Sequence, residues 1–369
     1  MQQQKNSKER LVFAVTNDLN YDQRMIRICT SLKTTGYNVL LVGRKLRTSL
    51  PLSLHIYQQK RLFCFFEKGK LFYLEYNLRL FFFLLFQKTD LICAIDLDTI
   101  VPCYFVSAIR RKKRVYDAHE LFCEMKEVVT RPSIYKFWKR IEKYAVPKFK
   151  YGYTVNHPIQ DIFKNDYGVN YNVIMNVPFL TALTETENKN FIIYQGAVNH
   201  GRSFETLIPA FQWVDCTFWI YGDGNFYEEA KDLIKNHDLE NKVFLKGKVL
   251  PQELKLITPK ALMGITFFEN NGLSNYYSLS NRFFDYMQAG IPQVCVGYPA
   301  YREINKQFEV AVLITDLTSK SIADTINSLL SDKATQKRLR ENCLLARQVY
   351  NWQNEEKKLV HYYQQVFSS

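Results

Sequence analysis

Short, continuously apolar runs alternate along this chain with longer stretches whose apolar residues recur at helical spacing. Leu11-Val-Phe-Ala-Val15 is apolar throughout, as a strand buried on both faces of a parallel sheet must be, whereas Met25 to Lys33 reads as an amphipathic helix that exits at Gly36. Tyr37-Asn-Val-Leu-Leu-Val42 then completes a βαβ unit. The same reading predicts a strand at Leu91 to Ile95, a helix following it through residue 110, and strands at Arg114 to Asp117, Tyr151 to Val155 and Val173 to Met175. A polar stretch, Thr181 to Asn190, interrupts the pattern as a linker. Beyond it the alternation restarts with strand Phe191 to Gln195, helix 203–213, strand Thr217 to Tyr221, helix 226–236 and strand Val243 to Leu245. Strand Gln293 to Val296 follows, and a helical tail begins near residue 318. Two βα series in tandem predict an α/β protein of two Rossmann-like domains facing a central cleft. A length of 369 residues fits two cores better than one.

One segment departs from the alternation. Residues 67–88 place Leu71, Leu74, Leu78, Phe82 and Leu85 at helical spacing, with further aromatics on the other faces. The favoured reading is a helix buried nearly all round. The alternative lays one face on a membrane interface.

Composition narrows the setting. Eight scattered cysteines include no Cys-x-x-Cys pair, which argues against a zinc ribbon or a disulfide framework and for a reducing, cytosolic environment. The first ten residues lack the apolar core of a signal peptide, and no run approaches the length that spans a bilayer. The net charge of +13 lies wholly in the first half: residues 1–185 hold 29 basic and 16 acidic side chains. It is densest over residues 101–150, which include Arg110-Arg111-Lys112-Lys113-Arg114 and Tyr135-Lys136-Phe137-Trp138-Lys139-Arg140. Such asymmetry favours an anionic partner: a membrane surface, a phosphorylated acceptor or nucleic acid.

The candidate chemistry gathers in loops that follow strands. In Ser278-Leu-Ser-Asn-Arg-Phe-Phe-Asp-Tyr-Met-Gln-Ala-Gly-Ile-Pro-Gln-Val294, Ser278 and Ser280 are N-cap candidates and Ala289-Gly290 stops the helix. The amide groups at such a start attract phosphate, and Asp285, about two turns on, can reach a second polar part of the same ligand. The first strand lacks the Gly-x-Gly-x-x-Gly turn of a dehydrogenase. The turn Gly196-Ala-Val-Asn-His-Gly-Arg202 instead brings Arg202 to a helix start, where it can hold a diphosphate. Gly222-Asp223-Gly224 makes a second sharp exit on the same edge, and His119 follows a strand in Tyr116-Asp-Ala-His-Glu120. Asp96-Leu97-Asp98 reads as a loop without a metal role.

With those residues in view, the chain resembles the retaining family-4 glycosyltransferases of the GT-B fold, bacterial enzymes that commonly build surface polysaccharides. The resemblance runs through Tyr21-Asp-Gln-Arg24, Tyr116-Asp-Ala-His-Glu120, Tyr194 to Arg202, Tyr221-Gly-Asp-Gly224, Leu245-Lys-Gly-Lys-Val249 and the segment from Ser278. It implies an acceptor-binding domain over 1–180, a nucleotide-sugar domain over 181–349 and a C-terminal helix, 350–369, that crosses back to the N-terminal domain. It also implies transfer from a UDP- or GDP-sugar to a lipid-linked or glycan acceptor with retention. No cofactor or metal is expected, and the setting is the inner face of the cytoplasmic membrane, with nucleic acid the less favoured partner. Arg202 resembles the residue that binds the donor diphosphate, with Gly196 beside it; Ser278, Leu279 and Ser280 resemble the amide cradle, and Asp285 the ribose acid. Tyr221, Gly222, Gly224, Lys248 and Val249 would line the base pocket, and His119, with Glu120 and Arg24, would stand at the acceptor. Tyr277 occupies the place where the family often has a sugar-binding glutamate, which points to Asn281, Arg282 or Glu269 as the substitute. An inactive GT-B-like scaffold docking on anionic membrane or nucleic acid is the alternative.

Overall fold

A computed structural model describes residues 9–20, 22–183 and 190–369. Tyr21 and the middle of the expected linker fall outside them. The chain divides into two units: residues 1–176 with 355–369, and residues 177–354.

The first unit is built on a seven-stranded sheet of β1 (Arg10–Ala14), β2 (Asn38–Lys45), β3 (Gln58–Phe63), β4 (Leu91–Ile95), β5 (Lys113–Ala118), β6 (Tyr151–Thr154) and β7 (Asn172–Val173). Its order is β3-β2-β1-β4-β5-β6-β7, with every pairing parallel. Central β1 is flanked by β2 and β4, so Leu11 faces Val39 on one side and Leu91 on the other. Helices start where their sequences supply caps. The Asp22 carboxylate accepts from the Met25 amide at 3.0 Å to open helix Gln23–Thr34, and Asn156 does the same for Ile159 at 2.9 Å in helix His157–Tyr167.

The last helix, Trp352–Ser368, enters the first unit from Glu355 onward. The Glu355 carboxylate accepts the Met175 amide at 2.9 Å, and Tyr363 meets the rings of Phe13 and Tyr153. Leu359, Tyr363 and Val366 are buried there.

Helix Gly69–Phe86 corrects the sequence reading. Its buried face is Phe72, Tyr76, Leu80 and Leu84, whereas Leu71, Leu74, Leu78 and Phe82, the stripe expected in the core, are exposed. The helix is apolar on both sides, so spacing alone does not tell which side meets the sheet.

The second unit holds β8 (Phe191–Gln195), β9 (Thr217–Tyr221), β10 (Val243–Gly247), β11 (Met263–Thr266), β12 (Gln293–Val296) and β13 (Val312–Ile314). The order is β10-β9-β8-β11-β12-β13, again all parallel. In both sheets the strand order reverses beside the first strand, between β1 and β4 and between β8 and β11. Ligands of open α/β sheets bind in the crevice at such reversals, beyond the carboxyl ends of the strands.

Candidate functional site

In the second unit the reversal point is walled by backbone. The Gly196 amide donates to Tyr221 O at 2.9 Å, and that of Gly222 to Gly247 O at 2.8 Å, joining the exits of β8, β9 and β10. Gly222 has φ +152°, and a Cβ there would stand 1.8 Å from Gly196 O. A Cβ on Gly224 would stand 2.3 Å from Val198 O. These glycines are required by close approach of two turns.

Beside this wall lies Arg282, 7% exposed, on helix Asn281–Ala289. Its guanidinium carbon is 4.1 Å from the Tyr194 ring centroid and 5.0 Å from that of Phe268. Arg202 stacks on the same Phe268 ring at 4.3 Å. Two guanidinium groups, planar and always charged, therefore share one aromatic plate. Arg282 Nε donates to Ser280 Oγ at 3.3 Å, no ion pair engages its guanidinium among the described residues, and its Nη1 is buried with no hydrogen-bond partner. A buried charge with an unmet donor is costly unless an anion completes it. Gly196 leaves room there: a Cβ at that position would lie 3.6 Å from Arg282 Nη2.

The rest of the expected donor set surrounds this pair. Asp285 Oδ2 accepts from Gln195 Nε2 at 3.0 Å, and Gln195 Oε1 accepts from Thr258 Oγ1 at 2.7 Å, which ties the helix to the end of β8. Ser280 occupies the N-cap position, but its side chain makes no cap bond and its amide donates to the Tyr301 hydroxyl at 3.0 Å. Ser278 instead closes the preceding helix, Leu273–Tyr277, donating its hydroxyl to Asn275 O at 2.8 Å, so Asp285 stands about one turn into its helix rather than two. Leu279 is half-buried and Asn281 exposed. Lys248 is exposed beyond β10, while Val249 packs on the cluster of Phe191, Tyr221 and Tyr286. The Glu269 amide donates to Gly201 O at 3.1 Å, which holds the backbone of this residue against the 196–202 loop, and its carboxylate accepts from Asn271 Nδ2.

At the first unit's reversal point His119 sits between two carboxylates. Its Nε2 is 3.1 Å from Asp117 Oδ2, its Nδ1 is 3.5 Å from Asp96 Oδ2, and its amide donates to Asp96 Oδ1 at 2.9 Å. Burial alone would lower its pKa, but Asp117 and Asp96 raise it to about 9. Asp117 is fully buried and paired at 2.9 Å with Arg24, and although burial opposes ionisation, Arg24 and His119 hold its pKa below the usual carboxylate value. Arg24 is itself buried and donates to Ile174 O at 3.1 Å, so it reaches the site through Asp117 rather than by touching an acceptor. Asp96, at φ +55°, has its pKa pushed to about 8 by burial, partly offset by His119. Asp98 accepts from Thr16 Oγ1 at 2.6 Å, and burial lifts its pKa to about 6. Glu120 is half-buried beside them. The sequence marks Asp96 only as part of a loop and leaves Asp117 unmarked beside His119. The signal for Asp117 was present, since residues two apart at a strand end point to the same side.

Residues 180–344 match the family described as glycosyl transferases group 1. Comparison of the sequence with curated proteins finds no match. Among solved structures, sucrose-phosphate synthase from Thermosynechococcus elongatus is similar at TM-score 0.80 and 14% identity, over 98% of this chain and 100% of that one. HepE of Anabaena in complex with UDP and glucose gives 0.75 and 15%, over 97% and 100%, and a glycosyltransferase from Rickettsia africae gives 0.74 and 11%, over 98% and 99%. The fold is GT-B, two Rossmann-like units. The stretch that matches the glycosyl transferases group 1 family lies within its second unit.

Proposed function

We propose that the protein transfers a sugar from a UDP- or GDP-sugar to a lipid-linked or glycan acceptor, with retention of configuration, in surface polysaccharide assembly at the inner face of the cytoplasmic membrane. The observation that carries this reading is the Arg282 guanidinium, buried between Tyr194 and Phe268 with Nη1 unmet and Arg202 on the same plate. A diphosphate is the ligand that two such cations fit, because each guanidinium can bind phosphate oxygens in fork geometry. The family match over this unit supports the same donor class, and so do the UDP, and the UDP-glucose, bound by HepE.

On this reading the leaving diphosphate gains charge as the glycosidic bond breaks, and Arg202 and Arg282, fixed before the reaction, stabilise that charge without a metal. Asp285 takes the ribose hydroxyls, and the 221–224 turn with Lys248 borders the base. Glu269, joined to the diphosphate loop through Gly201, takes the donor-sugar hydroxyls in place of the residue at Tyr277. His119 enters as an imidazolium at the acceptor side. The deciding experiment is calorimetric titration with UDP, GDP and UDP-glucose, followed by a test for slow hydrolysis of the bound nucleotide sugar. Absence of binding across these nucleotides would overturn the reading.

A further inference from the structure

We infer that the outer face of the helices Gly69–Phe86, Ile100–Ile109 and Pro132–Ala145 docks on an anionic lipid bilayer. The three helices pack as one layer. Tyr73 meets Trp138 at 5.3 Å between ring centroids, Tyr104 meets Tyr144 at 5.9 Å, and Arg110, just past the second helix, donates to Leu84 O at 2.8 Å in the first. The side of this layer away from the sheet carries large apolar residues that the unit leaves in solvent: Leu74 is 68% and Phe86 81% exposed, with Leu78 and Phe82 along the same stripe and Phe105 and Phe137 on the neighbouring helices. Soluble monomers rarely leave so many large apolar side chains on one face without a partner.

The charges choose that partner. Every exposed charged residue on these three helices is basic: Lys70, Lys136, Arg140 and Lys143. Both acidic residues of the helices are drawn inward, Glu75 accepting the Phe65 and Phe66 amides and Glu142 pairing with Lys139 at 2.8 Å. An apolar stripe on helices whose exposed charges are all basic matches acyl chains beneath anionic headgroups. A second copy of this chain would set like charges against each other. The conspicuous basic run at residues 110–114 is largely used internally: Lys112 pairs with Asp90 at 3.5 Å, Lys113 donates to Val366 O at 2.6 Å, and Arg114 stacks on Tyr104 at 5.1 Å. No helix among the described residues is long and apolar enough to cross a membrane, so contact of this kind lies along the surface. The inference rests on the transferase reading only for where the acceptor resides.

Co-sedimentation of the full chain with unilamellar vesicles tests it, comparing equimolar phosphatidylglycerol and phosphatidylcholine with phosphatidylcholine alone. The expected result is salt-sensitive binding to the anionic vesicles. Neutralising Lys136, Arg140 and Lys143 together to Gln lowers it on the order of a hundredfold, from roughly 1 kcal/mol per basic residue. Leu74→Ser with Phe82→Ser lowers it at least ~tenfold, while Leu345→Ser, an exposed apolar position of the second unit, changes nothing. All these positions are exposed, and unchanged circular dichroism and UDP affinity certify the fold. Wild-type binding to neither vesicle, or binding that survives both variants, overturns the inference. So does a dimer seen by light scattering that Leu74→Ser dissolves. Vesicle binding without nucleotide binding would instead overturn the transferase reading and leave the docking surface standing.

Discussion

Arg282 combines two properties that pull against each other. Its guanidinium is buried, yet one nitrogen has nothing to donate to, so the unliganded protein carries a cost that a bound diphosphate removes. Arg282→Met should therefore lower UDP affinity by roughly 10- to 100-fold, the loss of one charged hydrogen-bonding group, while leaving the thermal midpoint equal or higher; a midpoint well below wild type would mean that the side chain mainly holds the fold. His119 gives a second test. Its pKa, raised from 6.5 to about 9, means that its stabilising contribution is full below pH 6.5 and is lost as pH rises through 9. In Asp117→Asn the ring should titrate closer to 6.5 by NMR, and the stability difference from wild type should shrink above pH 9; a ring that still titrates near 9 would assign its charge to Asp96. Glu269→Gln should slow nucleotide-sugar hydrolysis with UDP affinity unchanged, and equal effects on both would remove the sugar-hydroxyl role. At this scale the sequence displayed Arg202 and His119 as candidates because each lies on a loop after a strand, Asp285 because it follows a capped helix start, and Arg282 only as a substitute for the sugar-binding residue missing at Tyr277. It did not display Tyr194, Phe268, Gln195 or Asp117, whose roles come from residues up to some 90 positions away in the chain.

Elements of the fold were legible where hydrophobic runs were long and bounded by glycine or polar turns. Strands β4, β8, β9 and β12 have the limits their patterns predict. The reading passed over β3, whose Gln58-Gln-Lys-Arg-Leu-Phe63 is polar because it is a sheet edge, and β13, with three residues. It also passed over β11, Met263-Gly-Ile-Thr266, although this strand is central and fully buried. Gly264 explains both facts: a Cβ there would stand 2.4 Å from the Tyr286 ring, so packing demands the residue that weakens the strand signal. The donor-side turns depend on glycine in the same way. Gly222→Ala should lower stability and nucleotide affinity together, by several kcal/mol of strain against Gly196 O unless the β8 and β9 turns part; denaturant unfolding and UDP titration check it, and wild-type values in both would show that the turns separate freely.

For the molecule as a whole, two parallel sheets agree with the tandem βα alternation that predicted them, but the division of the chain is less simple than two halves. All eight cysteines are buried, five in the first unit and three in the second. A thiol reagent should find none in the native protein. Truncation after Asn354 should expose the first unit's five while the three of the second stay protected, because the lost helix carries Leu359, Tyr363 and Val366 out of the first unit's core. Protection of all eight would show that the first unit closes without it. The position of that helix also reverses the usual order in which a nascent chain acquires structure. Domains ordinarily fold from the amino terminus as they emerge. Here residues 177–354 are contiguous and can close as soon as they leave the ribosome, whereas the unit begun first waits for residues 355–369. Until then the Phe13 and Tyr153 rings lack their covering helix, so slow translation of residues 355–369 lengthens the interval in which these rings stand open to solvent or to other chains.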